Sequence, residues 1–220
     1  MERDTERLTP DQVLDAGLDD WRKLAQALHA RFRTGSFTAG LDLVTAITEA
    51  AERANHHPDV TLTYPLVDVR LMSHDVGAVT QRDVDLAREI STIARDRGID
   101  ADPAAPTVLE LALDTADQGR VGAFWAAVLT GDAGNVRGDD VVDKTGQVPL
   151  LWFQGTDEHD EPRQRFHLDV WVPHDQAQAH IDAALAAGGT LVDESEKPSF
   201  VVLADGDGNK ACICTMLDRG

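Results

Sequence analysis

Three of the eight histidines in the sequence, His56, His57 and His74, lie close together along the chain. Glu52 precedes His56 by four residues, which places both on one face of a helix. Pro58 disfavours a helical conformation at His57, so the helix should end there. His74 follows an alternating run of apolar residues that is typical of a strand. One carboxylate and three imidazoles could therefore surround one pocket and transfer protons near neutral pH.

Two other interpretations of these histidines remain open at this point. Adjacent histidines that follow a helix are often polar loop residues without a chemical role. Metal binding is the second alternative, but Glu52, His56 and His74 lack a compact ligand pattern such as HExxH. Spacing alone does not decide between an acid–base site, a metal site and a loop.

The complete pattern is more specific than any one of its parts. Its members, in chain order, are Glu52, His56, His57, Pro58, Tyr64, His74 and Asp83. This order resembles the signature of the pterin-4a-carbinolamine dehydratase family, and the resemblance covers about residues 8 to 96. It implies a whole domain of that family, built as an α/β sandwich.

The resemblance implies a reaction as well as a fold. Family members remove water from a 4a-hydroxytetrahydropterin (4a-carbinolamine) to give the quinonoid dihydropterin, which serves tetrahydrobiopterin recycling and requires neither metal nor cofactor. One acid must protonate the leaving hydroxyl and one base must take a ring N–H proton. By resemblance, His56 and His74 are the acid–base candidates, and which of them is the acid stays open.

The resemblance assigns binding roles to the other members of the pattern. His57 is expected to contact or orient the pterin, and Glu52 either holds an imidazole tautomer or binds the pterin. Tyr64 and Asp83 are the other candidates for substrate binding. Asp83 also has a structural interpretation, which we favour: with Thr80 as N-cap and Asp83 at N3, the two form a capping box that opens a helix.

The first half of the sequence predicts helices over about residues 9–17, 37–54 and 80–97. Residues 21–32 have helical periodicity, but the family resemblance implies two short strands there. Residues 60–73 are predicted to be one extended segment, which Pro65 interrupts, so that part of it is an edge or a bulge. A small, acidic, proline-containing segment then precedes the second half and is typical of a linker.

The second half contains a weak internal duplication of a strand-helix-strand-strand-strand unit, with Asp117-Gln118 recurring as Asp175-Gln176. It resembles the glyoxalase-like domains of the vicinal oxygen chelate superfamily over about residues 107 to 216. The segments that carry the resemblance are Asp114–Asp117, Phe124-Trp125, Leu150–Gln154, His167–Asp169 and Asp205–Asn209. The resemblance implies a paired βαβββ fold.

The sequence therefore predicts an α+β protein of two domains. A dehydratase-like domain is expected at residues 1–98 and a glyoxalase-like domain at 107–220. Residues 99–106 are the predicted linker between them.

Metal-using members of that superfamily have ligands on the first and last strands of each repeat, which here implies Glu110, Gln154, His167 and Cys212. Gln154 is a poor ligand, and Cys212 stands where a glutamate is usual, which favours softer metals such as zinc. We therefore expect a degraded or altered site for a divalent metal. The favoured expectation is a cavity that holds little metal as purified and binds an organic ligand.

Two further expectations concern the second half of the chain. Its tryptophans Trp125, Trp152 and Trp171 are candidates to line the predicted cavity. The run Asp205–Asn209 has some likeness to a calcium loop, but it lacks the twelve-residue spacing and the terminal glutamate, so a hairpin turn is expected there.

Composition restricts the partners and the compartment. Lysine plus arginine total 20 against 39 acidic residues, a net charge of −19, so nucleic acid would be repelled. No apolar run reaches the roughly 18 residues of a membrane span, and the N-terminus has no signal-peptide core. The only two cysteines, Cys212 and Cys214, would pair awkwardly, and a cytoplasmic protein fits best. The expected partners are a small-molecule pterin substrate and other copies of the same chain in a homo-oligomer.

Two other classes of function stay open. The first is a non-catalytic dimerisation module, because the dehydratase family includes dimerisation partners of transcription factors. The second places the main activity in the glyoxalase-like domain, as a metal-dependent lyase, isomerase or dioxygenase, or as a drug-sequestering protein. An intact set of three histidines favours the dehydratase, whereas a tightly bound metal would favour the second domain.

Overall fold

The structure, a computed structural model, confirms the α+β class and divides the chain into two compact units. The described residues are 5–130, 132–146, 148–157, 166–186, 189–204 and 210–219. The first unit spans Met1–Thr107 together with Val172–Gln176 and Thr215–Gly220, and the second comprises Val108–Trp171 and Ala177–Cys214. Among the described residues, none of the helices combines the length and the apolar character needed to span a bilayer.

The first unit has helices and one antiparallel sheet. Its elements are α1 (Pro10–Asp15), β1 (Arg22–Leu24), β2 (Ala27–Arg33), α2 (Phe37–Ala54), β3 (Asp59–Thr63), β4 (Leu66–Leu71), α3 (Gln81–Asp96) and β5 (Asp100–Ala101). The strand order is β1-β2-β4-β3, and β5 pairs with β2. The two strands expected from the family resemblance are present in place of the helix that periodicity suggests, because β2 gains backbone partners on both sides.

The core of this unit lies between the sheet and helices α2 and α3. Strands β2 and β4 bury alternate side chains, such as Phe32 and Val69, as expected for a sheet with one covered face. Helices α2 and α3 cover that face with their apolar sides, which include Ile47 of α2 and Ile90 of α3. The sheet and the helix ends beside it therefore support the loops that carry the histidines.

Two segments differ in detail from the sequence-based expectation. The extended stretch from residue 60 to 73 is a hairpin of β3 and β4, turned at the cis peptide Tyr64–Pro65, with β3 at the sheet edge as Pro65 suggested. Asp100 and Ala101 fall in the predicted linker, yet they form β5 and pair with β2. Part of the predicted linker thus belongs to the first sheet, while the exact domain bounds stay a prediction.

We expect His29 on β2 to make the stability of the first unit dependent on pH. Burial, aided by Arg70, lowers the pKa of His29 from 6.5 to about 4. The unfolded chain binds this proton more readily, so the free energy of unfolding should rise with pH between about 4 and 6.5, by at most about 3 kcal/mol. Urea unfolding across this range should show the rise in the wild type, and His29→Gln should flatten it. An unchanged slope in the variant would contradict the assignment.

The second unit repeats one motif twice in a single mixed sheet. Its elements are β6 (Val108–Thr115), α4 (Gln118–Thr130), β7 (Val136–Arg137), β8 (Asp140–Val141), β9 (Leu151–Gly155), β10 (Phe166–Trp171), α5 (Ala177–Ala186), β11 (Thr190–Asp193), β12 (Phe200–Ala204) and β13 (Lys210–Cys214). The strand order is β11-β12-β13-β10-β6-β9-β8-β7. The predicted paired βαβββ arrangement is confirmed, and the predicted hairpin turn at Asp205–Asn209 lies outside the described residues.

The two repeats of this unit meet at their first strands. β6 and β10 run antiparallel beside each other, β9 pairs with β6 in parallel, and β13 pairs with β10 in parallel. Four strands therefore meet at the centre of the sheet, and their alternate side chains share one face.

Candidate functional site

Asp83 is the centre of a buried polar network in the first unit. Its side chain is fully buried, and its Oδ2 accepts hydrogen bonds from the Thr80 backbone N–H at 2.8 Å and from the Ser73 hydroxyl at 2.7 Å. Its Oδ1 lies 2.7 Å from Nε2 of His56. The expected capping box of Thr80 and Asp83 is present. Asp83 therefore caps α3 and also holds a histidine that arrives from the end of α2.

The network keeps the Asp83 carboxyl ionised. Burial alone would raise its pKa, but the hydrogen bonds from His56, Thr80 and Ser73 prevail and lower it. An ionised carboxylate can only accept hydrogen bonds, so Nε2 of His56 carries the proton that lies between them.

The end of α2 separates the two adjacent histidines. Asn55 follows the helix in the left-handed conformation, with φ 48° and ψ 41°, which turns the chain sharply. His56 then points into the buried network, whereas the His57 side chain is 55% exposed and its Nε2 lies 3.2 Å from Glu52 Oε1. Glu52 thus contacts His57, not His56.

His74 is presented by a tight turn after β4. The backbone of Ser73 pairs with Ala78 and closes the turn that holds His74. The His74 side chain is 60% exposed, and its Nε2 lies 4.0 Å from Oδ2 of Asp59, which also pairs with Arg70 at 2.5 Å. Asp59 is two residues beyond His57, so His74 is close to the segment that carries the other two histidines.

Tyr64 is not brought to this group within one chain. It lies in the turn between β3 and β4 and is 73% exposed. Asp59 begins the same strand, and at about 3.3 Å per residue the turn is about 13 Å or more from it. The part of Tyr64 in substrate binding therefore stays a prediction.

Two contacts that link the histidine-bearing segments were not foreseen from the sequence. Ser73 joins the segment of His74 to Asp83, and Asp59 joins His74 to the segment of His57. Their sequence signal was position alone, since Ser73 immediately precedes His74 and Asp59 immediately follows His57-Pro58.

The second unit has a cluster of polar side chains on one face of its central strands. His167 and Asp169 alternate on β10, and the register puts Asp169 opposite Glu110 of β6 and Cys212 of β13. Nδ1 of His167 lies 3.3 Å from Asp169 Oδ1 and 4.0 Å from Cys212 Sγ. We call His167, Asp169 and Cys212 the central cluster. Its three ligand atoms lie within 4.8 Å of one another, so they could hold a metal ion.

Carboxylates on both sides influence the protonation of His167. The hydrogen bond to Asp169 raises its pKa, burial opposes that shift, and Asp114 adds to it. On the other side of the ring, Nε2 lies 3.1 Å from Gln154 Oε1 and 3.4 Å from Asp114 Oδ1. A protonated imidazole is therefore favoured at this position unless a cation replaces the proton.

The central cluster differs from the set that the sequence suggested. The Glu110 carboxylate accepts a hydrogen bond from Trp171 Nε1 at 2.6 Å, and Glu110 is not a member of the metal-capable group. Asp169 is a member instead, and its other oxygen accepts a hydrogen bond from Trp152 Nε1. The signal for Asp169 was its i, i+2 spacing from His167, because such residues share one face of a strand.

Of the three tryptophans proposed to line a cavity, two lie on the face that carries the central cluster. Trp152 and Trp171 donate to carboxylates there. Trp125 instead packs edge-on against Phe166 at a centroid distance of 5.2 Å, on the opposite face, where it joins an apolar core. A part for Trp152 and Trp171 in lining a cavity stays a prediction.

Comparison with known families assigns each half of the chain. Residues 6–93 match the family model described as pterin 4 alpha carbinolamine dehydratase, and residues 110–214 match the glyoxalase-like domain. These matches agree with both resemblances drawn from the sequence.

Similar proteins match the first half of the chain over nearly their whole length. A protein from Nocardia farcinica named "Putative pterin-4-alpha-carbinolamine dehydratase" is 40% identical over 93 residues, which cover 41% of this chain and 98% of that protein. A protein of the same name from Thermosynechococcus vestitus is 37% identical and is covered to 96%. A crystal structure of a transcriptional coactivator/pterin dehydratase from Brucella melitensis is 31% identical, with 40% of this chain and 99% of that chain aligned and a TM-score of 0.39.

Proposed function

This chain belongs to the pterin-4a-carbinolamine dehydratase family, and from this premise we propose that its first domain removes water from a 4a-hydroxytetrahydropterin to give the quinonoid dihydropterin. The observation that carries the proposal is the arrangement of His56, His57 and His74, each beside a carboxylate, at the ends of α2 and β4. Such a set can both donate and accept protons near neutral pH. By this proposal the domain acts in tetrahydrobiopterin recycling.

The surroundings of each histidine support a division of roles. His56 is the base that takes the N–H proton of the pterin ring. The ionised Asp83 stabilises the positive charge that the imidazole then gains. His74 is the acid that protonates the leaving hydroxyl, since it is exposed and lies beside Asp59. His57, paired with Glu52, orients the pterin.

The test is a direct assay of the purified full-length chain. A 4a-hydroxytetrahydropterin loses water spontaneously, so the substrate must be generated in the cuvette by an aromatic amino-acid hydroxylase and its decay followed by absorbance. The protein should accelerate that decay in proportion to its concentration. A decay rate that equals the spontaneous rate at every concentration would rule out the proposed activity.

Self-association is part of the same proposal. Phe37 and Leu41 lie one turn apart on α2, and both are exposed although they are large and apolar. Side chains of this kind on one helix face favour contact with another copy of the chain. Sedimentation analysis should find a homo-oligomer, and a purely monomeric chain would contradict this part.

For the second domain we propose a small-molecule cavity in which the central cluster offers a site for a divalent metal. The spacing of its ligand atoms supports zinc. A tetrahedral ion with bonds of about 2.0–2.3 Å places its ligands about 3.3–3.8 Å apart. The separation of His167 from Asp169, 3.3 Å, falls in this range, and that of His167 from Cys212, 4.0 Å, is slightly longer. Imidazole, carboxylate and thiolate are all zinc ligands. When bound, such an ion would polarise a carbonyl oxygen or acidify a water.

A further inference from the structure

We infer that Asp83 is a positioning residue, which holds the proton of His56 on Nε2 and thereby leaves Nδ1 as the atom that exchanges a proton with the pterin. The inference rests on the proposed dehydratase function and names the reacting atom within it. It adds a positioning role to the helix cap that the sequence favoured for Asp83, whose side chain is fully buried in the network.

The direction of each hydrogen bond around Asp83 is determined by its donors. The Thr80 backbone N–H can only donate, and it donates to Oδ2 of Asp83. The Ser73 hydroxyl also donates to Oδ2, while its oxygen lies 2.8 Å from the Thr80 hydroxyl, which can donate to it. These two donors, with the Thr80 hydroxyl 3.4 Å away, surround one carboxylate oxygen, and the other oxygen, Oδ1, faces Nε2 of His56 alone among the described residues.

The second ring nitrogen of His56 is the one left for chemistry. Within the described parts of the chain, Nδ1 makes no hydrogen bond. With Nε2 protonated, the neutral ring has its lone pair on Nδ1, so only that atom can accept a proton. The side chain is 8% exposed, which restricts contact with a substrate to one edge of the ring.

The same carboxylate also supports the turn that carries His74. Ser73, whose hydroxyl donates to Asp83, pairs with Ala78 through the backbone and directly precedes His74. Asp83 thus connects the proposed base with the segment that holds the proposed acid. A single buried carboxylate can in this way determine the tautomer of one histidine and hold the turn that carries another.

Asp83→Asn tests the tautomer without removing the side chain. The donors from Thr80 and Ser73 still require an acceptor at the Oδ2 position, so the amide oxygen should lie there and the amide NH2 should face His56. His56 must then accept at Nε2 and carry its proton on Nδ1. We expect kcat to fall by about 10²-fold or more, the usual scale for a lost acid–base group, with a smaller change in KM.

Asp85→Asn is the matched control, because Asp85 lies on the same helix, is exposed and contacts Gln81. It makes the same chemical change outside the network and should leave kcat unchanged. Nitrogen-15 NMR of the wild type at neutral pH supplies a readout that does not depend on how the variant folds. It should show His56 protonated at Nε2 and unprotonated at Nδ1, with the two exchanged in Asp83→Asn.

The outcomes separate this inference from the function on which it rests. An inactive wild type would contradict both the proposed dehydratase activity and the assignment of Nδ1 as the reacting atom. An active wild type whose His56 is protonated at Nδ1 would overturn the positioning role alone. The same conclusion would follow if Asp83→Asn kept the kcat of the wild type.

Discussion

Replacing His74 by alanine should lower the turnover number for pterin dehydration by about 10²-fold or more, and replacing His56 should have an effect of the same size. The reaction needs one group to protonate the leaving hydroxyl and another to take the ring proton, and in the proposed mechanism each variant removes one of them. Because the His74 side chain is 60% exposed, its loss should affect the rate with little effect on folding. Initial rates with enzymatically generated substrate measure the effect.

The His56 variant needs an additional measurement, because its side chain is buried against Asp83. Truncation removes the partner of a buried, ionised carboxylate, which should cost about 3–5 kcal/mol of the free energy of unfolding. Denaturant unfolding separates this cost from the loss of rate. His180→Ala, an exposed histidine on α5, is the matched control and should leave the rate unchanged. Wild-type rates in both His56→Ala and His74→Ala would rule out the proposed mechanism.

The second domain should contain little metal when it is purified without added metal and should bind one zinc ion when zinc is supplied. The proton on His167, favoured by Asp169 and Asp114, and the proton on the Cys212 thiol must both leave before the metal can bind. Elemental analysis of the purified protein tests the first expectation. Titration against a chromophoric chelator tests the second.

Variants of the central cluster identify the zinc ligands. His167→Ala and Cys212→Ser should each weaken zinc binding by about 100-fold or more, because loss of a direct ligand should cost at least as much as loss of an outer-shell partner. Cys214→Ser is the matched control, since Cys214 is buried on the same strand and lies outside the metal-capable group. Equal affinity in the wild type and His167→Ala would exclude this site. Stoichiometric metal in the protein as purified, lost in His167→Ala, would instead make the domain a metalloenzyme candidate.

Features that depend on neighbours in the sequence were predictable from it. Thr80 marks the start of α3, because a cap and its helix lie within one turn of each other. The duplication with its alternating strands likewise predicted the paired βαβββ unit. The three histidines were singled out by residue type and spacing, their expected roles came from the family resemblance, and both domain families followed from short motifs.

Features that join distant parts of the chain were decided only by the tertiary structure. His56 contacts Asp83, 27 residues away in the sequence. The left-handed conformation of Asn55 turns the chain so that His56, and not His57, points inward. Asp169 joins His167 and Cys212 because β10 lies between β6 and β13 in one register, a pairing that no local pattern encodes. A side chain's type determines which chemistry it can do, and the path of the backbone determines which partners it has. The sequence by itself therefore determined the candidate groups, and the fold decided which carboxylate serves which imidazole.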